Sequence, residues 1–373
     1  MANKGTILVL SCHTDSLFWF RIDMMKHFIS KGYNVVAVGD EDEKSWVSRF
    51  ADFGIKYRQL QVERTGTNPI KDIKLIGEIK KIILEENPSK IFCYQAKTVI
   101  YGTIAAHSAG IDEVYPLVAG LGSAFRGDGV KTSVLRFILT AEYKIALKHA
   151  KAVMFQNPDD MGVFVERKIV KPSKCEIING SGVDISRFTP TPLPDDFAFL
   201  MISRLIGDKG VREYLNAARI IKQKYPSVRC MLVGPFDTNP SAISEEELDA
   251  YIDDGSVEYF GKQNDVVPYI NQCSVFVLPS YHEGTPKTVL EAMASGRAVI
   301  TTDAPGCRET VTNDENGILV PVKDVDALVF AMEAMIKSPE KCKEMGIKGR
   351  KLTEEKYDVN LINREICRIM NIE

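Results

Sequence analysis

Short apolar runs alternate along this chain with longer stretches in which apolar residues return every three or four positions. The runs at 6–10, 33–38, 90–94, 114–118, 152–156 and 175–178 read as strands. Helical periodicity fills 18–31, 73–86 and 133–148, and Gly32 ends the first of these. Apolar runs spaced by amphipathic helices predict a mostly parallel sheet with helices packed on it. Three prolines then fall within 189–196, a stretch that cannot continue a helix or a central strand and reads as a stiff linker. Alternation restarts beyond it, with strands at 197–202, 229–233, 257–260, 275–278 and 298–301 and a helix at 211–224. From 325 to 372 the pattern is helical. The expectation is an α/β protein with two doubly wound, Rossmann-like domains facing a cleft. Ligands in such sheets bind beyond the carboxyl ends of strands, so the loops that follow strands carry the chemistry.

A length of 373 residues suits two domains, and 45% hydrophobic residues suffice for two cores. The net charge of −3 provides no global basic field, so nucleic acid is not an expected partner. Eight cysteines stand at 12, 93, 175, 230, 273, 307, 342 and 367, without metal-ligand spacing. They read as reduced thiols of a cytoplasmic protein. No apolar run approaches a membrane span, and the run at 7–10 is too short for a signal peptide.

The most informative stretch is Ser280-Tyr281-His282-Glu283-Gly284-Thr285-Pro286-Lys287-Thr288-Val289-Leu290-Glu291, directly after the run at 275–278. Gly284 permits unusual backbone angles, Thr285 suits an N-cap and Pro286 suits the first helical position. A helix starting there directs amides and the positive end of its dipole at an anion such as a diphosphate. Glu283 precedes that helix, and Glu291 lies about two turns in; both suit sugar hydroxyls. A capped surface helix with two solvated glutamates is the equal alternative. Arg204 and Lys209, after the run at 197–202, would neutralise a pyrophosphate or serve as ordinary loop charges.

Taken together, these stretches resemble the nucleotide-sugar site of glycosyltransferase family 4, a retaining family with the GT-B fold. The family's two glutamates, with seven residues between them, match Glu283 and Glu291, and its arginine and lysine match Arg204 and Lys209. Asn179-Gly180-Ser181-Gly182-Val183-Asp184 and Val233-Gly234 match as well. The resemblance implies that Arg204 and Lys209 stabilise a leaving diphosphate, that Glu291 binds ribose and that Glu283 binds the transferred sugar, helped by amides near Gly284, Thr285, Pro286 and Lys287. It implies domains at 1–190 for the acceptor and 195–354 for the donor, with a C-terminal helix, 355–373, able to pack back on the first. Electrostatic stabilisation would carry the reaction, with a UDP-sugar as co-substrate and no metal or other cofactor required. Asp40-Glu41-Asp42 reads as a solvated acidic loop rather than a metal site.

The first domain narrows the resemblance. Leu117-Val118-Ala119-Gly120-Leu121-Gly122-Ser123-Ala124-Phe125 and Phe155-Gln156-Asn157-Pro158-Asp159-Asp160 resemble a subgroup that builds bacterial surface glycans. Its members include enzymes that add N-acetylgalactosamine to an undecaprenyl-diphosphate-linked sugar. Many family members carry a histidine where this chain has Ala119, which leaves the donor hexose open. Acceptor-side candidates are His13, Asp15, Arg21, Gly120 and Gly122. Arg21 pairs with an acceptor diphosphate or is a helix-surface charge; His13 is a hydrogen-bond donor or a simple loop residue. The segment 131–151 alternates Lys131, Arg136, Lys144, Lys148, His149 and Lys151 with apolar residues. It reads as a core-facing helix with a solvated basic side, or as a peripheral contact with the inner face of the plasma membrane. Other readings are a transferase with a soluble acceptor, a nucleotide-sugar epimerase of the same fold and a non-catalytic glycan-binding protein.

Overall fold

The computed structural model describes residues 4–62, 69–122, 125, 127 and 129–373. It divides the chain into two units: residues 1–181 with 362–373, and residues 182–361. Ser123 and Ala124 of the 117–125 motif lie outside the described residues.

The first unit holds a parallel sheet of seven strands: β1 (Thr6–Leu10), β2 (Asn34–Gly39), β3 (Lys56–Gln59), β4 (Lys90–Tyr94), β5 (Val114–Val118), β6 (Val153–Phe155) and β7 (Cys175–Ile177). Their order is β3-β2-β1-β4-β5-β6-β7. Strand order reverses between β1 and β4, which pair from Ile7↔Lys90 to Leu10↔Cys93. Two apolar clusters cover the sheet faces. One contains Leu8, Leu10, Ile91, Cys93 and Phe155, and the other Ile7, Val9, Phe28, Phe92 and Tyr115. The alternation of Ile7 to Leu10 between them follows from the two-residue period of a strand buried on both faces. Ile362, Ile366 and Met370 near the C-terminus join the second cluster.

The second unit repeats the design with β8 (Ala198–Ile202), β9 (Arg229–Val233), β10 (Glu258–Tyr259), β11 (Val275–Leu278), β12 (Ala298–Thr302) and β13 (Gly317–Val320). The order is β10-β9-β8-β11-β12-β13, and the reversal falls between β8 and β11. The loops after β8 and β11 therefore flank the switch point, where open α/β sheets bind ligands.

Two expectations change. The proline stretch at 189–196 is not a free linker. Arg297, fully buried, donates to the carbonyl oxygen of Thr191 at 2.8 Å and to Thr191 Oγ1 at 2.5 Å, which fastens the stretch to the second unit. Thr191 stands between two prolines, which cannot extend a helix or a central strand, so its carbonyl oxygen is available to a buried guanidinium. The acidic loop after β2 is solvated only in part: Asp42 is exposed, whereas Asp40 and Glu41 are half-buried and hydrogen-bonded. Asp40 Oδ1 accepts from the amide of Thr14 at 2.8 Å, and Glu41 Oε2 accepts from Trp46 Nε1 at 2.7 Å.

The helix Val130–Leu147 buries only Tyr143, Ala146 and Leu147. Val130 (82% exposed), Val134, Phe137 (76%), Ile138 and Ile145 project from it. At helical periodicity they fall within a roughly 100° arc. Lys131 and Lys144 flank that arc, and both are exposed. The core-facing reading thus holds for one short face only. Among the described residues no helix is long and apolar enough to cross a membrane. All eight cysteines are free, and seven of them are buried.

Candidate donor and acceptor sites

The loop after β11 is built by backbone contacts. The amide of Tyr281 donates to the carbonyl oxygen of Asp208 at 2.9 Å, and Ser280 Oγ donates to the same oxygen at 3.1 Å. These bonds lock the β11 loop to the β8 loop. The amide of Glu283 donates to the carbonyl oxygen of Pro305 at 2.9 Å, and Thr302 Oγ1 donates to the carbonyl oxygen of Ser280. Glu283 is thereby fixed by a segment more than twenty residues away in sequence.

Gly306 makes that approach possible. Its φ is +80°, and a Cβ there would stand 2.2 Å from the carbonyl oxygen of Glu283. Gly284, expected to supply unusual angles, is not among the glycines at positive φ. The strained position is on the neighbouring loop instead. Gly234, at φ +147°, lies against the β8 loop, where a Cβ would come within 1.7 Å of the carbonyl oxygen of Ser203.

The helix after this loop spans Lys287–Ala294, with Pro286 at the cap position and no side-chain cap. It starts later than the Thr285 cap and Pro286 first position expected from sequence. Pro286 holds ψ at 105°, outside helical values, so Lys287 opens the helix. Glu291, four residues after Lys287, lies about one turn in rather than two.

Lys209 and Glu283 meet: Lys209 Nζ lies 2.5 Å from Glu283 Oε1, and both side chains are mostly buried. Arg204 sits on the same loop as Lys209, but its exposed guanidinium pairs with Asp237 at 2.8 Å. The structure therefore brings Lys209 and Glu283 together and holds Arg204 aside. Asp237 was not expected from the sequence, since nothing local marks it as a partner of Arg204.

Glu291 is 9% exposed, so neither glutamate is simply solvated. Its carboxylate has no hydrogen-bond or ion-pair partner among the described residues. Burial raises its pKa from the ordinary 4.5 to about 7, against the opposing pull of Lys287. Below pH 4.5 the group is protonated in folded and unfolded chains alike. As pH rises through about 7 the folded protein must ionise a buried carboxyl, so the stability this group contributes at low pH is lost. Glu291→Gln is expected to abolish that part of the decline in Tm between these pH values. A nucleotide whose hydroxyls donate to Glu291 would favour the carboxylate and release a proton at about pH 6. Calorimetry of UDP binding in buffers of different ionisation enthalpy should show this release. It should shrink in Glu291→Gln; equal release in both proteins would show that nucleotide hydroxyls do not meet Glu291.

In the first unit, the loops after β1 and β4 flank the other switch point. His13 is the residue before the helix Thr14–Ser30, and Asp15 lies in its first turn, accepting from Trp19 Nε1 at 3.0 Å. Gly120 and Gly122 follow β5 with φ of +148° and +69°. Arg21 is not a helix-surface charge: it is 3% exposed. Sequence reasoning missed Gln95, which takes φ +75° just after β4. Its Oε1 accepts from Ser11 Oγ at 2.8 Å and from the Cys12 amide at 3.2 Å, fastening the loop that carries His13. A non-glycine residue in the left-handed region is unusual, and no sequence pattern announces it. A cavity of about 500 Å³ at this edge is lined by Asp40, Gln59, Gln61, Asp72 and Lys97 among others. His13, Asp40 and Glu41 bring possible ligand atoms within 4.8 Å of one another.

Residues 184–352 match the model for glycosyl transferases group 1, and residues 7–157 match that for glycosyl transferase 4-like domains. The chain is 28% identical over 368 residues, 95% of each chain, to the N,N'-diacetylbacillosaminyl-diphospho-undecaprenol alpha-1,3-N-acetylgalactosaminyltransferase of Campylobacter jejuni. It is 26% identical, over 70% of each chain, to the Escherichia coli UDP-Gal:alpha-D-GlcNAc-diphosphoundecaprenol alpha-1,3-galactosyltransferase. Among solved structures, sucrose-phosphate synthase from Thermosynechococcus elongatus superposes with a TM-score of 0.81 at 19% identity, covering 99% of this chain and 98% of that one. Anabaena HepE in complex with UDP and glucose gives 0.78 at 16% identity, covering 98% and 99%. The shared architecture is GT-B.

Proposed function

Because this chain belongs to the group 1 glycosyltransferases, with a glycosyl transferase 4-like first domain, we propose that it transfers a sugar from a UDP-sugar, with retention, to a sugar carried on undecaprenyl diphosphate. The transferred unit is a hexose or N-acetylhexosamine, with N-acetylgalactosamine the leading candidate. The observation that carries this reading is the second unit's constellation: Lys209 against Glu283 before a helix start, and a buried, unpartnered Glu291 one turn further. It offers a cation and helix amides to a diphosphate, and carboxylates to two sets of hydroxyls. The acceptor class follows the two relatives named above, both of which form alpha-1,3 linkages to a diphosphoundecaprenol-linked sugar but transfer different sugars.

In this reading the donor's C1–O bond to the diphosphate breaks as the acceptor hydroxyl oxygen bonds to C1 on the same face. The hydroxyl proton passes to an oxygen of the departing diphosphate. Lys209, Arg204 and the start of the helix Lys287–Ala294 stabilise the growing negative charge, and no metal ion is required in this scheme. Glu283, tied to a cation, suits hydroxyl binding better than attack on C1. Glu291 accepts from the ribose hydroxyls. The acceptor is handled by the first unit, where His13, Asp15, Arg21, Gly120 and Gly122 lie in or near loops at the carboxyl edge of the sheet.

The test is incubation of the purified chain with individual UDP-sugars and a short polyprenyl-diphosphate-linked sugar, with the product anomer read by NMR. An alpha product from an alpha donor is expected. Epimerised donor without transfer would reassign the chain to another reaction, and a beta product would remove retention.

The same reading includes reversible docking on the inner face of the plasma membrane. The exposed arc of Val130, Val134, Phe137, Ile138 and Ile145, flanked by Lys131 and Lys144 and followed by Lys148 at the helix end, suits an anionic leaflet. Each lysine near such a surface contributes about 1 kcal/mol. Co-sedimentation with phosphatidylglycerol vesicles is expected to fall with salt, and to be lost in Phe137→Glu combined with Lys144→Glu and Lys148→Glu. Binding indifferent to both changes would exclude this helix as the docking face.

A further inference from the structure

Arg21 sits in the second turn of the helix Thr14–Ser30. Helical side chains lean back toward the N-terminus, so its guanidinium returns toward the carboxyl edge of the sheet. There it lies 5.0 Å from the ring centroid of Tyr94, the last residue of β4, and 5.8 Å from that of Phe92. Tyr94 in turn donates to Ser16 Oγ at 2.8 Å. No carboxylate among the described residues pairs with Arg21. Its Nε is buried without a hydrogen-bond partner. Burial pulls its pKa down, yet a guanidinium keeps its charge at any physiological pH.

Other arginines in this chain show what a structural role looks like. Arg58 pairs with Glu85 and Glu86, and Arg229 pairs with Glu258. Arg297 is as deeply buried as Arg21, but carbonyl oxygens of Thr191, Ile270 and Asn271 surround it. Arg21 has neither a carboxylate nor a ring of carbonyl oxygens. Two aromatic faces offset only a small part of the cost of burying a lone charge. Such a cation is retained when an anion completes it in the working state, as functional sites are held at the expense of stability.

We propose that Arg21 receives a phosphate oxygen pair of the acceptor's diphosphate, making the carboxyl edge of β1 and β4 a diphosphate-binding site separate from the donor constellation in the other unit. This rests on the reading of the acceptor as a diphosphate-linked sugar. A guanidinium is the side chain best shaped for two parallel hydrogen bonds to such a group, and the neighbouring Tyr94 ring carries a hydroxyl bonded to Ser16.

The full chain, saturated with UDP to occupy the donor site, is titrated by calorimetry with inorganic pyrophosphate and with a short polyprenyl-diphosphate sugar. Both are expected to bind, and Arg21→Gln is expected to weaken each by at least about tenfold while UDP affinity stays unchanged. Arg21→Met is expected to unfold at the same or a higher temperature than the parent, because it removes an unpaired buried charge. Arg21→Lys keeps the charge without the fork and should bind more weakly than the parent. Parental binding of both ligands in Arg21→Gln and Arg21→Lys would overturn the proposal. A large fall in Tm for Arg21→Met with parental binding in Arg21→Lys would make Arg21 a structural cation instead. If pyrophosphate binding depends on Arg21 but no polyprenyl-diphosphate sugar binds or reacts, the anion site stands and the acceptor reading fails.

Discussion

Replacing Lys209 with alanine is expected to lower kcat by about 100- to 1,000-fold, the usual loss when one stabilising group at a developing negative charge is removed. UDP affinity should change far less, because the free nucleotide already carries most of its charge before reaction. The structure adds a control. Lys209 Nζ is 2.5 Å from Glu283 Oε1, so the alanine variant also removes the cation beside a mostly buried carboxylate. A double-mutant cycle with Glu283→Gln separates the two effects; residues in direct contact commonly couple by about 0.5–3 kcal/mol. Arg204→Ala should act in the same direction, since the donor's phosphates compete with Asp237 for its guanidinium. Single-turnover transfer rates are the measurement. Near-parental rates for Lys209→Ala and Arg204→Ala would falsify the leaving-group assignment.

Gly306→Ala is expected to cost roughly 100-fold in kcat/KM, although Gly306 offers no side chain to a substrate. The added Cβ would lie 2.2 Å from the carbonyl oxygen of Glu283, 2.5 Å from its carbonyl carbon and 2.6 Å from the carbonyl oxygen of Gly284. All three are backbone atoms, so the peptide after Glu283 must move. A displacement of about 1 Å in a reacting constellation is enough for a loss of this size. The left-handed φ of +80° adds backbone strain of about 1–3 kcal/mol. Thermal unfolding and UDP titration distinguish the causes. A folded protein that binds UDP but transfers poorly is expected. Parental transfer would show that the Glu283 loop tolerates displacement and does not position the sugar.

The alternating pattern made the central strands legible. Residues 6–10, 90–94, 114–118, 229–233 and 275–278 are strands with the expected limits, because strands buried on both faces are apolar throughout. Lys56–Gln59 and Gly317–Val320 escaped notice. The first reads Lys-Tyr-Arg-Gln and lies at an edge of its sheet, where little apolar surface is needed. Lys209, Glu283 and Glu291 were legible as candidates through the glycosyltransferase family 4 motif they resemble; read singly, each was equally an ordinary loop or surface charge. Their arrangement was not legible. Whether Glu291 was buried, and whether Arg204 met Glu283 or Asp237, depended on neighbours distant in sequence. Gln95 and Gly306 were invisible for the same reason, since each acts through another loop's backbone. Arg21 illustrates the converse: the sequence left it open between a diphosphate partner and a helix-surface charge, and the packing against Phe92 and Tyr94 excludes the second.

The fastening of the proline stretch by Arg297 bears on how this protein can be cut and how it can be recombined. A donor half begun at Asp195, where composition suggests the junction, would discard Thr191 and Pro192. Arg297 would then keep Ile270 and Asn271 but lose the acceptors at 2.8 and 2.5 Å, leaving much of a guanidinium unsatisfied inside the core. Chimaeras that exchange donor halves between relatives face the same constraint. The prolines must travel with the half that follows them, and a junction near Gly182 respects what the side chains hold together.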